Sequence, residues 1–267
     1  MSDTSKTVVI TGSTSGIGRA AAERFLAEGY TVCGISRHAA DEGEIRGYAA
    51  DVTDEAAVRD AFARILKDVG RIDVLVCCAG SGISGAIEFT RSADAHAQME
   101  VNLFGTDNCV RAVIPHMRER RSGRIILISS VAGIIPIPFQ AWYSMSKAAL
   151  ISYTGALRNE LRPFRIRVCS ILPGDIATGF TAARSKSEAG DDVYRGKIRK
   201  AVARMEHDET NGMPPSAVAD EIFRQASKRR PKPTVVVGTS YKLLAGLIKF
   251  LPIRLSNWLV GKLYSER

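Results

Sequence analysis

Short apolar segments rich in β-branched residues alternate along the chain with longer segments whose apolar positions recur every three to four residues. The short segments predict strands at Thr7–Thr11, Thr31–Ser36, Gly47–Val52, Asp73–Ala79, Arg124–Ser130, Arg165–Leu172 and Thr234–Gly238. The longer segments predict helices at Gly16–Glu28, Asp54–Val69, Ser92–Arg120, Ala141–Leu161 and Ser216–Ser227. This alternation is typical of βαβ units, so we expect one α/β domain with a doubly wound parallel sheet of about seven strands.

Three regions depart from this alternation. The segment from Arg37 to Gly47 is too short for a crossover helix, so we expect a loop or single turn there. Residues 179–212 are polar and irregular and follow a strand end, which predicts a lid over a binding site. The tail, residues 240–264, carries apolar residues at helical spacing with a break at Pro252, which predicts a C-terminal helical extension.

The tail has three interpretations. In the first, its apolar stripe packs over the binding site or at a subunit interface, because exposed stripes of this size are usually covered. Alternatively it docks on a membrane surface, since Trp258 lies near Lys249, Arg254 and Lys262. The third interpretation is an ordinary element of the core.

Composition narrows the function classes. The chain has 267 residues, of which 45% are hydrophobic and 24% charged, as in folded globular proteins. The net charge of +9 comes from scattered residues without interleaved aromatics, so we expect no nucleic-acid partner. A basic surface also suits an anionic phosphate cofactor. The four histidines show no ligand spacing, so we expect no metal site.

Location follows from the start of the chain and the cysteines. The polar start predicts no signal peptide, and apolar stretches fall short of the roughly 20 residues of a membrane span. The five cysteines are odd in number and lie mostly in apolar segments (Cys33, Cys77, Cys78, Cys109 and Cys169). We therefore expect reduced thiols in a cytoplasmic protein.

Catalytic chemistry is indicated by three residues after the fifth predicted strand. Tyr143 and Lys147 are four apart on a predicted helix and share one face, while Ser130 ends the strand. A phenol, an ammonium and a hydroxyl at one sheet edge suit proton transfer to a carbonyl or alcohol oxygen. An ammonium about 5 Å away would lower a phenol's pKa by about two units. Alternatively the pair is an ordinary helix start with a half-buried Tyr and a solvated Lys.

A glycine-rich segment, Thr11–Gly18, follows the first strand and opens a helix. Its glycines permit a tight turn and close approach to a pyrophosphate, whose charge the helix amides would meet. It could also be a plain loop, but its position in the first βαβ unit favours dinucleotide binding.

The end of the second strand bears on the choice of nucleotide. Ser36-Arg37 stands where an acid would hold ribose hydroxyls, so NADP(H) is favoured over NAD(H). The alternative is a solvated Arg37, with Asp41 turning in to hold the ribose. Asp51-Val52 would contact the adenine, unless Asp51 only caps the helix that begins near Asp54.

Together these motifs resemble the short-chain dehydrogenase/reductase family. The resemblance covers residues 7–180 and includes the glycine loop, Asp51-Val52, Cys78-Ala79-Gly80, Asn102, Ser130, Tyr143, Lys147, Pro173-Gly174 and Thr178. It implies a single Rossmann-like domain over residues 1–267, with the cofactor and catalytic core at 7–180. It also implies hydride transfer between a nicotinamide and a carbonyl or alcohol.

The resemblance also implies residue roles. Tyr143 would be the general acid/base, Lys147 would lower its pKa and hold the nicotinamide ribose, and Ser130 would bind the substrate oxygen. Asn102 would distort its helix and hold a relay water, although alone it would be an ordinary helix residue. The implied cofactor residues are Gly12, Ser13, Ser15, Gly16, Ile17, Gly18, Ser36, Arg37, Asp51, Val52, Cys78, Ala79, Gly80, Tyr143, Lys147, Pro173, Gly174, Ile176 and Thr178.

The chain departs from the family where Cys77-Cys78 replaces the usual Asn-Asn before Ala79-Gly80. Thiols are weak hydrogen-bond partners, so side-chain contacts are lost, while backbone contacts to the cofactor can survive. We expect an effect on stability or cofactor affinity and retained catalysis.

Substrate size is indicated by the apolar segment between Ser130 and Tyr143. Its largest apolar side chains are Ile134, Ile135, Ile137, Phe139 and Trp142. They predict a bulky hydrophobic ketone or secondary alcohol, bound by Ser130, Ile135, Phe139 and Tyr143. The overall layout resembles the hydroxysteroid and retinol dehydrogenase branch, which favours a steroid-like substrate.

Three alternatives remain open. These residues could pack on the lid and leave room for only a small ketone. A β-ketoacyl thioester reductase and a regulatory protein that binds NADPH without turnover are the other functions considered. The resemblance further implies a homodimer or homotetramer through Ser92–Arg120 and Ala141–Leu161.

Overall fold

A sheet of short apolar strands forms the centre of the protein, as the sequence predicts. The computed structural model describes residues 5–248 and 250–264. In chain order the strands are β1 (Thr7–Thr11), β2 (Thr31–Ser36), β3 (Ile45–Ala49), β4 (Val74–Cys77), β5 (Ile83–Ser84), β6 (Gly123–Ile128), β7 (Ile166–Pro173), β8 (Ser185–Lys186) and β9 (Thr234–Val237). The main sheet is seven-stranded and parallel, in the order β3-β2-β1-β4-β6-β7-β9. The predicted single-domain α/β fold is confirmed.

Helices cover both faces of this sheet. They are α1 (Gly16–Leu26), α2 (Glu55–Val69), α3 (Ser92–Met99), α4 (Gly105–Glu119), α5 (Ala141–Glu160), α6 (Phe180–Ala183), α7 (Lys197–Thr210), α8 (Pro215–Ser227), α9 (Thr239–Ile248) and α10 (Ile253–Tyr264). No helix in these described parts of the chain is long and apolar enough to cross a bilayer.

Two hydrophobic cores follow from the alternation of side chains along the strands. Val9 joins Phe62 of α2 and Val113 of α4 on one face of the sheet. Its neighbour Ile10 joins Phe25 of α1 on the other face, where α8 also packs. Because a buried parallel strand contacts helices on both sides, its residues are apolar without interruption.

The order β3-β2-β1-β4 reverses the direction of winding at β1 and β4. In such sheets ligands bind outside the carboxyl ends of the strands at the reversal. The glycine loop after β1 and the Cys78-Ala79-Gly80 segment after β4 meet there. Topology therefore places the predicted cofactor loop beside the predicted catalytic residues.

Several predicted boundaries were wrong. β3 ends at Ala49, so Asp51 and Val52 lie in the loop before α2. The predicted helix Ser92–Arg120 is three segments, α3, a π-helical turn at Glu100–Phe104, and α4. Residues 179–212 are not irregular, since they contain α6, β8 and α7. The sequence pattern did not predict α7, because most of its residues are polar and only a narrow side of the helix is buried (Ile198, Ala201, Val202 and Met205).

Candidate active site

One cavity of about 640 Å³ lies at the carboxyl ends of the strands. Its wall includes the glycine loop, Ser130, Tyr143, Lys147 and both tail helices. A separate depression between α2 and α4, lined in part by His116 and Phe164, contains none of the predicted site residues.

Lys147 and Tyr143 project from the first turns of α5 into this cavity. The Lys147 Nζ lies 5.6 Å from the centre of the Tyr143 ring. It also donates a 3.0 Å hydrogen bond to the carbonyl of Ile128, the last residue of β6. The Ser129 hydroxyl donates to the Lys147 carbonyl at 2.7 Å, which holds α5 against the end of β6. The spacing of four residues thus brings the phenol and the ammonium together.

The pKa of Tyr143 differs from the value expected for a phenol beside an ammonium. Burial raises the pKa of Tyr143 to about 12, an effect that its hydrogen bond with Ser130 opposes. Burial likewise lowers the pKa of Lys147 to about 8. The predicted lowering of the Tyr143 pKa is therefore wrong for the protein alone, because loss of solvent dominates both groups. At neutral pH the phenol is protonated.

Ser130 is placed by a short turn after β6. It precedes the 3₁₀ turn Val131–Gly133, and its Oγ accepts a 3.1 Å hydrogen bond from the Ala132 amide. Gly133 packs directly on α5, since a Cβ there would lie 2.8 Å from the Lys147 carbonyl carbon. This close packing keeps the Ser130 hydroxyl near the phenol.

Asn102 lies within the π-helical turn and is fully buried. Its Oδ1 accepts from the Ser81 amide at 2.8 Å, and its Nδ2 donates to the Ser81 carbonyl and the Ser146 hydroxyl. The helix is distorted where the resemblance implied. The side chain holds the segment after β4 to α5, and its part in a proton relay stays a prediction.

The glycine loop has the geometry needed for a nucleotide. Gly12 has a φ of +67°, and a Cβ there would lie 2.9 Å from the Ala79 amide nitrogen. A Cβ on Gly18 would lie 2.1 Å from the Gly12 carbonyl oxygen. Ser15 precedes α1 and makes no side-chain capping bond among the described residues, which leaves the first-turn amides for an anion. These residues fit a dinucleotide pyrophosphate.

The Cys77-Cys78 departure leaves the backbone arrangement in place. Cys77 is buried in the core, whereas Cys78 lines the cavity with Ala79 and Gly80. The Ala79 amide donates a 3.1 Å hydrogen bond to the Thr11 hydroxyl. This bond ties β4 to the glycine loop without an asparagine side chain.

Most other predicted cofactor residues also line the cavity. They are Ser15, Gly16, Ile17, Arg37, Pro173, Gly174, Ile176 and Thr178. Ser13 does not, because its side chain faces Gly34, where a Cβ would lie 2.2 Å from the Ser13 Oγ.

The predicted adenine residues lie outside the cavity wall. The Asp51 carboxylate accepts from the Thr53 amide and hydroxyl, and Val52 packs against Gly105. Asp54 is the residue that caps α2. The adenine contact stays a prediction.

In the described loop between β2 and β3, Arg37 lies in the cavity wall and no acid does. Arg37 is exposed at the cavity rim, while Asp41 accepts a 2.8 Å hydrogen bond from the Gly47 amide. Glu42 pairs with Arg19 at 2.5 Å. The buried Ser36 hydroxyl has no hydrogen-bond partner within the described parts of the chain.

The predicted substrate wall is correct only in part. Ile135 and Ile137 line the cavity, whereas Ile134, Phe139 and Trp142 do not. Phe139 has a φ of +60° and packs edge-on against Tyr194, 5.6 Å between ring centres. The placement of Phe139 in the substrate site is therefore wrong, because this backbone conformation turns it onto the segment before α7.

The tail completes the cavity. Leu244, Leu247, Leu259 and Leu263 belong to the cavity wall, so the tail packs over the site. This is one of its three predicted arrangements, and its outer side stays exposed. Lys249 of the membrane interpretation lies outside the described residues.

Sequence reasoning missed Asp175, Phe180, Glu209 and Tyr241, all of which line the cavity. They come from three separate parts of the chain, after β7, at the end of α7 and in the tail, and form no motif. Tyr241 donates a hydrogen bond to Asp175, which connects the tail to the loop after β7. Asp175 lies next to Pro173-Gly174 and Phe180 lies two residues after Thr178, so these two had predicted neighbours, whereas Glu209 and Tyr241 had none.

Known proteins resemble the chain over most of its length. The model of the short chain dehydrogenase family matches residues 6–189. A 3-ketodihydrosphingosine reductase of Bacteroides thetaiotaomicron is 36% identical over 264 residues, covering 97% of this chain and 98% of that protein. A short-chain dehydrogenase structure from Streptomyces avermitilis has a TM-score of 0.85 and 30% identity, covering 97% of both chains. ElxO with NADP bound has a TM-score of 0.75 and 27% identity, covering 90% of this chain and 99% of that chain.

Proposed function

Because the chain belongs to the short-chain dehydrogenase/reductase family, we propose that it is an NADPH-dependent reductase of long-chain hydrophobic ketones. One observation carries this proposal: the glycine loop, the Tyr143 phenol and the apolar tail residues share one cavity of about 640 Å³. The catalytic groups and the apolar part of the cavity therefore form one continuous site. Bound NADPH supplies the hydride.

The ionisation of the site suits reduction. The Tyr143 pKa of about 12 keeps its phenol protonated at neutral pH, ready to donate to a carbonyl oxygen that gains negative charge. The Ser130 hydroxyl is positioned to donate to the same oxygen. Lys147 then stabilises the phenolate that is left, because its ammonium lies beside the ring.

An extended apolar wall supports a long alkyl chain as the apolar part of the substrate. Two separate helices of the tail contribute to this wall, together with Ile135 and Ile137. The compound named for the Bacteroides thetaiotaomicron relative is a ketone on a long alkyl chain. Steroids, the bulky substrate predicted from the sequence, form a comparison arm of the test.

The charge at the cavity rim supports NADP(H) over NAD(H). Arg37 provides a cation for a 2′-phosphate, and the unpartnered Ser36 hydroxyl lies next to it. The acids that would otherwise hold a ribose are bonded to Gly47 and Arg19. Replacing Arg37 with glutamate should lower kcat/KM for NADPH at least about tenfold and spare NADH. Arg46→Glu, an exposed change on β3 outside the cavity wall, is the matched control.

The main experiment measures NADPH oxidation with long-chain ketones, steroids, short ketones and β-ketoacyl thioesters. Tyr143→Phe should lower kcat by about a hundredfold to ten-thousandfold, because a positioned proton donor contributes roughly that much to the rate. The variant should still bind NADPH. Tyr153→Phe on the same helix is the control, because that phenol bonds Asp107 outside the cavity wall.

Each other outcome assigns a different function. Turnover of thioesters or steroids alone would replace long-chain ketones with those substrates. Tight NADPH binding without turnover of any carbonyl compound would indicate a regulatory protein and refute the reductase. Equal efficiency with NADH would refute the nucleotide assignment.

The outer side of the tail supports docking on an anionic membrane surface. Leu243, Phe250 and Ile253 are 72%, 89% and 75% exposed. Residues 240–264 contain four basic residues and no acidic one, which complements anionic lipid headgroups. The inner side of the same helices lines the cavity, so a lipid could enter from the surface on which the tail lies.

Co-sedimentation with vesicles tests this docking. Phe250→Glu should reduce binding to anionic vesicles at least about fivefold, and neutral vesicles should bind weakly throughout. Ile87→Glu is the control, because Ile87 is 62% exposed and lies outside the tail. No binding by the wild type, or equal binding by both variants, would contradict membrane docking.

We also propose a homo-oligomer in the cytoplasm. Phe104 beside α4 and Met145 on α5 are exposed apolar residues on the helices that family members use for dimers. All five cysteines are free thiols, in keeping with a reducing compartment. A monomer by light scattering, or a membrane-enclosed location by fractionation, would contradict the respective proposals.

A further inference from the structure

A tyrosine of the tail lies against the loop that follows β7. Tyr241 is in the first turn of α9, and its hydroxyl donates a hydrogen bond to the Asp175 carboxylate. Its ring lies directly on the backbone of Gly174, because a Cβ at that position would overlap the ring carbons. Gly238, just before α9, has a φ of +100°, and a Cβ there would lie 2.9 Å from the same ring. Two glycines therefore make room for this phenol.

The same loop is bonded to the segment before α8. The Met213 amide donates a 3.0 Å hydrogen bond to the Asp175 carbonyl, and the Ala177 amide donates one of 2.9 Å to the Met213 carbonyl. These bonds use only the backbone. Within the described parts of the chain, Tyr241 is the only residue that donates to the Asp175 carboxylate. The connection of this loop to the tail therefore depends on the Tyr241 side chain.

This loop borders both the glycine loop and the reacting centre. A Cβ on Gly16 would lie 3.5 Å from the Thr178 side chain, so the two loops are in contact. Gly174 and Asp175 line the cavity together with Tyr143. Burial raises the pKa of Tyr143 most, and the Asp175 carboxylate adds to the rise, which places it near the phenol. A dinucleotide that reaches from the glycine loop to Tyr143 would therefore contact the loop after β7.

The helix that carries Tyr241 also carries part of the apolar wall. Leu244, Leu247 and Ile248 follow Tyr241 on α9 at helical spacing, and all four residues line the cavity. Because α9 is one helix, a displacement of these apolar side chains displaces the phenol as well. An alkyl chain packed against the wall would hold the Tyr241 ring on the loop.

We propose that Tyr241 is a positioning residue that holds the loop after β7 in place for the nicotinamide, so that an alkyl chain on the tail strengthens NADPH binding. This inference rests on the proposed long-chain ketone reductase. The ring contact with Gly174 sets the position of the phenol, and the hydrogen bond to Asp175 holds the loop to it. Burial and the Asp175 carboxylate raise the pKa of Tyr241, so its hydroxyl is a donor at neutral pH.

The test measures NADPH binding by calorimetry with and without a saturating secondary dodecanol. Both ligands are already reduced, so no hydride passes between them and only binding is measured. With wild-type protein the alcohol should lower the Kd of NADPH at least about fivefold, the lower end of the range for coupled sites. Secondary butanol, which lacks the long alkyl chain, should lower this Kd less than about twofold.

Two variants and their combination test whether the bond between Tyr241 and Asp175 carries the effect. Tyr241→Phe keeps the ring on Gly174, and Asp175→Ala removes the acceptor, so each should reduce the effect of dodecanol to less than about twofold. The double variant should bind NADPH no more weakly than the weaker single variant, because both changes remove the same bond. Tyr153→Phe, whose phenol bonds Asp107 outside the cavity wall, is the matched control and should keep the wild-type effect.

The outcomes separate the two proposals. An equal effect of dodecanol on wild type and Tyr241→Phe, or additive losses of affinity in the double variant, would overturn the role of Tyr241 and leave the reductase in place. An equal effect of both alcohols, or no effect of dodecanol on a wild type that reduces long-chain ketones, would overturn it as well. Failure of the wild type to bind NADPH would refute the proposed function itself.

Discussion

Replacing Lys147 with methionine should stabilise the protein while removing its activity. Lys147 is 6% exposed, and burial lowers its pKa from 10.5 to about 8. Since each pKa unit is about 1.4 kcal/mol, the charged form is disfavoured by roughly 3 kcal/mol in the folded protein. Methionine removes that cost but leaves the Ile128 carbonyl without its donor, a loss of about 1–2 kcal/mol. We expect a net gain of about 1–2 kcal/mol at pH 7.

The gain should depend on pH with a defined sign. The folded pKa is the lower one, so from about pH 8 to 10.5 the unfolded chain binds more protons than the folded protein. In that window the Lys147 contribution makes the wild type more stable as pH rises, by up to about 1.4 kcal/mol per pH unit. Below the window this contribution is constant. The advantage of Lys147→Met should therefore shrink between pH 8 and pH 10.

Urea unfolding without nucleotide, followed by tryptophan fluorescence from pH 7 to pH 10, measures this difference. Comparing two proteins cancels the other groups that titrate in the range. Lys67→Met, an exposed change on α2, should alter stability by no more than about 0.5 kcal/mol at any pH. A constant difference across the range, or a Lys147→Met variant less stable than wild type at pH 7, would refute the reasoning.

Three further predictions concern the glycine loop, the π-helical turn and Asp73, the residue before β4. Gly18→Ala should weaken NADPH binding about tenfold or more by calorimetry, because its Cβ would lie 2.1 Å from the Gly12 carbonyl oxygen. Asn102→Ala should cost about 3 kcal/mol in urea unfolding, since three hydrogen bonds are lost. Burial opposes ionisation of Asp73, but its arginine partners and the Thr7 amide lower its pKa below 3.8. Its contribution is thus complete above about pH 4 and lost as pH falls, so Asp73→Asn should flatten the acid side of the stability curve.

The sequence by itself determined the sheet, the cofactor loop and the catalytic helix of this protein. These depend on local information: apolar alternation predicts strands, glycines permit the approach of Gly12 to Ala79, and a spacing of four places Tyr143 and Lys147 on one face. The family assignment followed from the same short motifs and is confirmed by the matching family model.

Only the tertiary structure decided how the cavity is closed and how its groups ionise. Phe139 left the site because of its backbone conformation, and the tail leucines entered it from a distant part of the chain. Asp175 and Glu209 meet the cavity from separate segments, so no spacing in the sequence connects them. The pKa of Tyr143 rose where proximity to Lys147 predicted a fall. Burial depends on every element packed around a group, and that sum exists only in the folded chain.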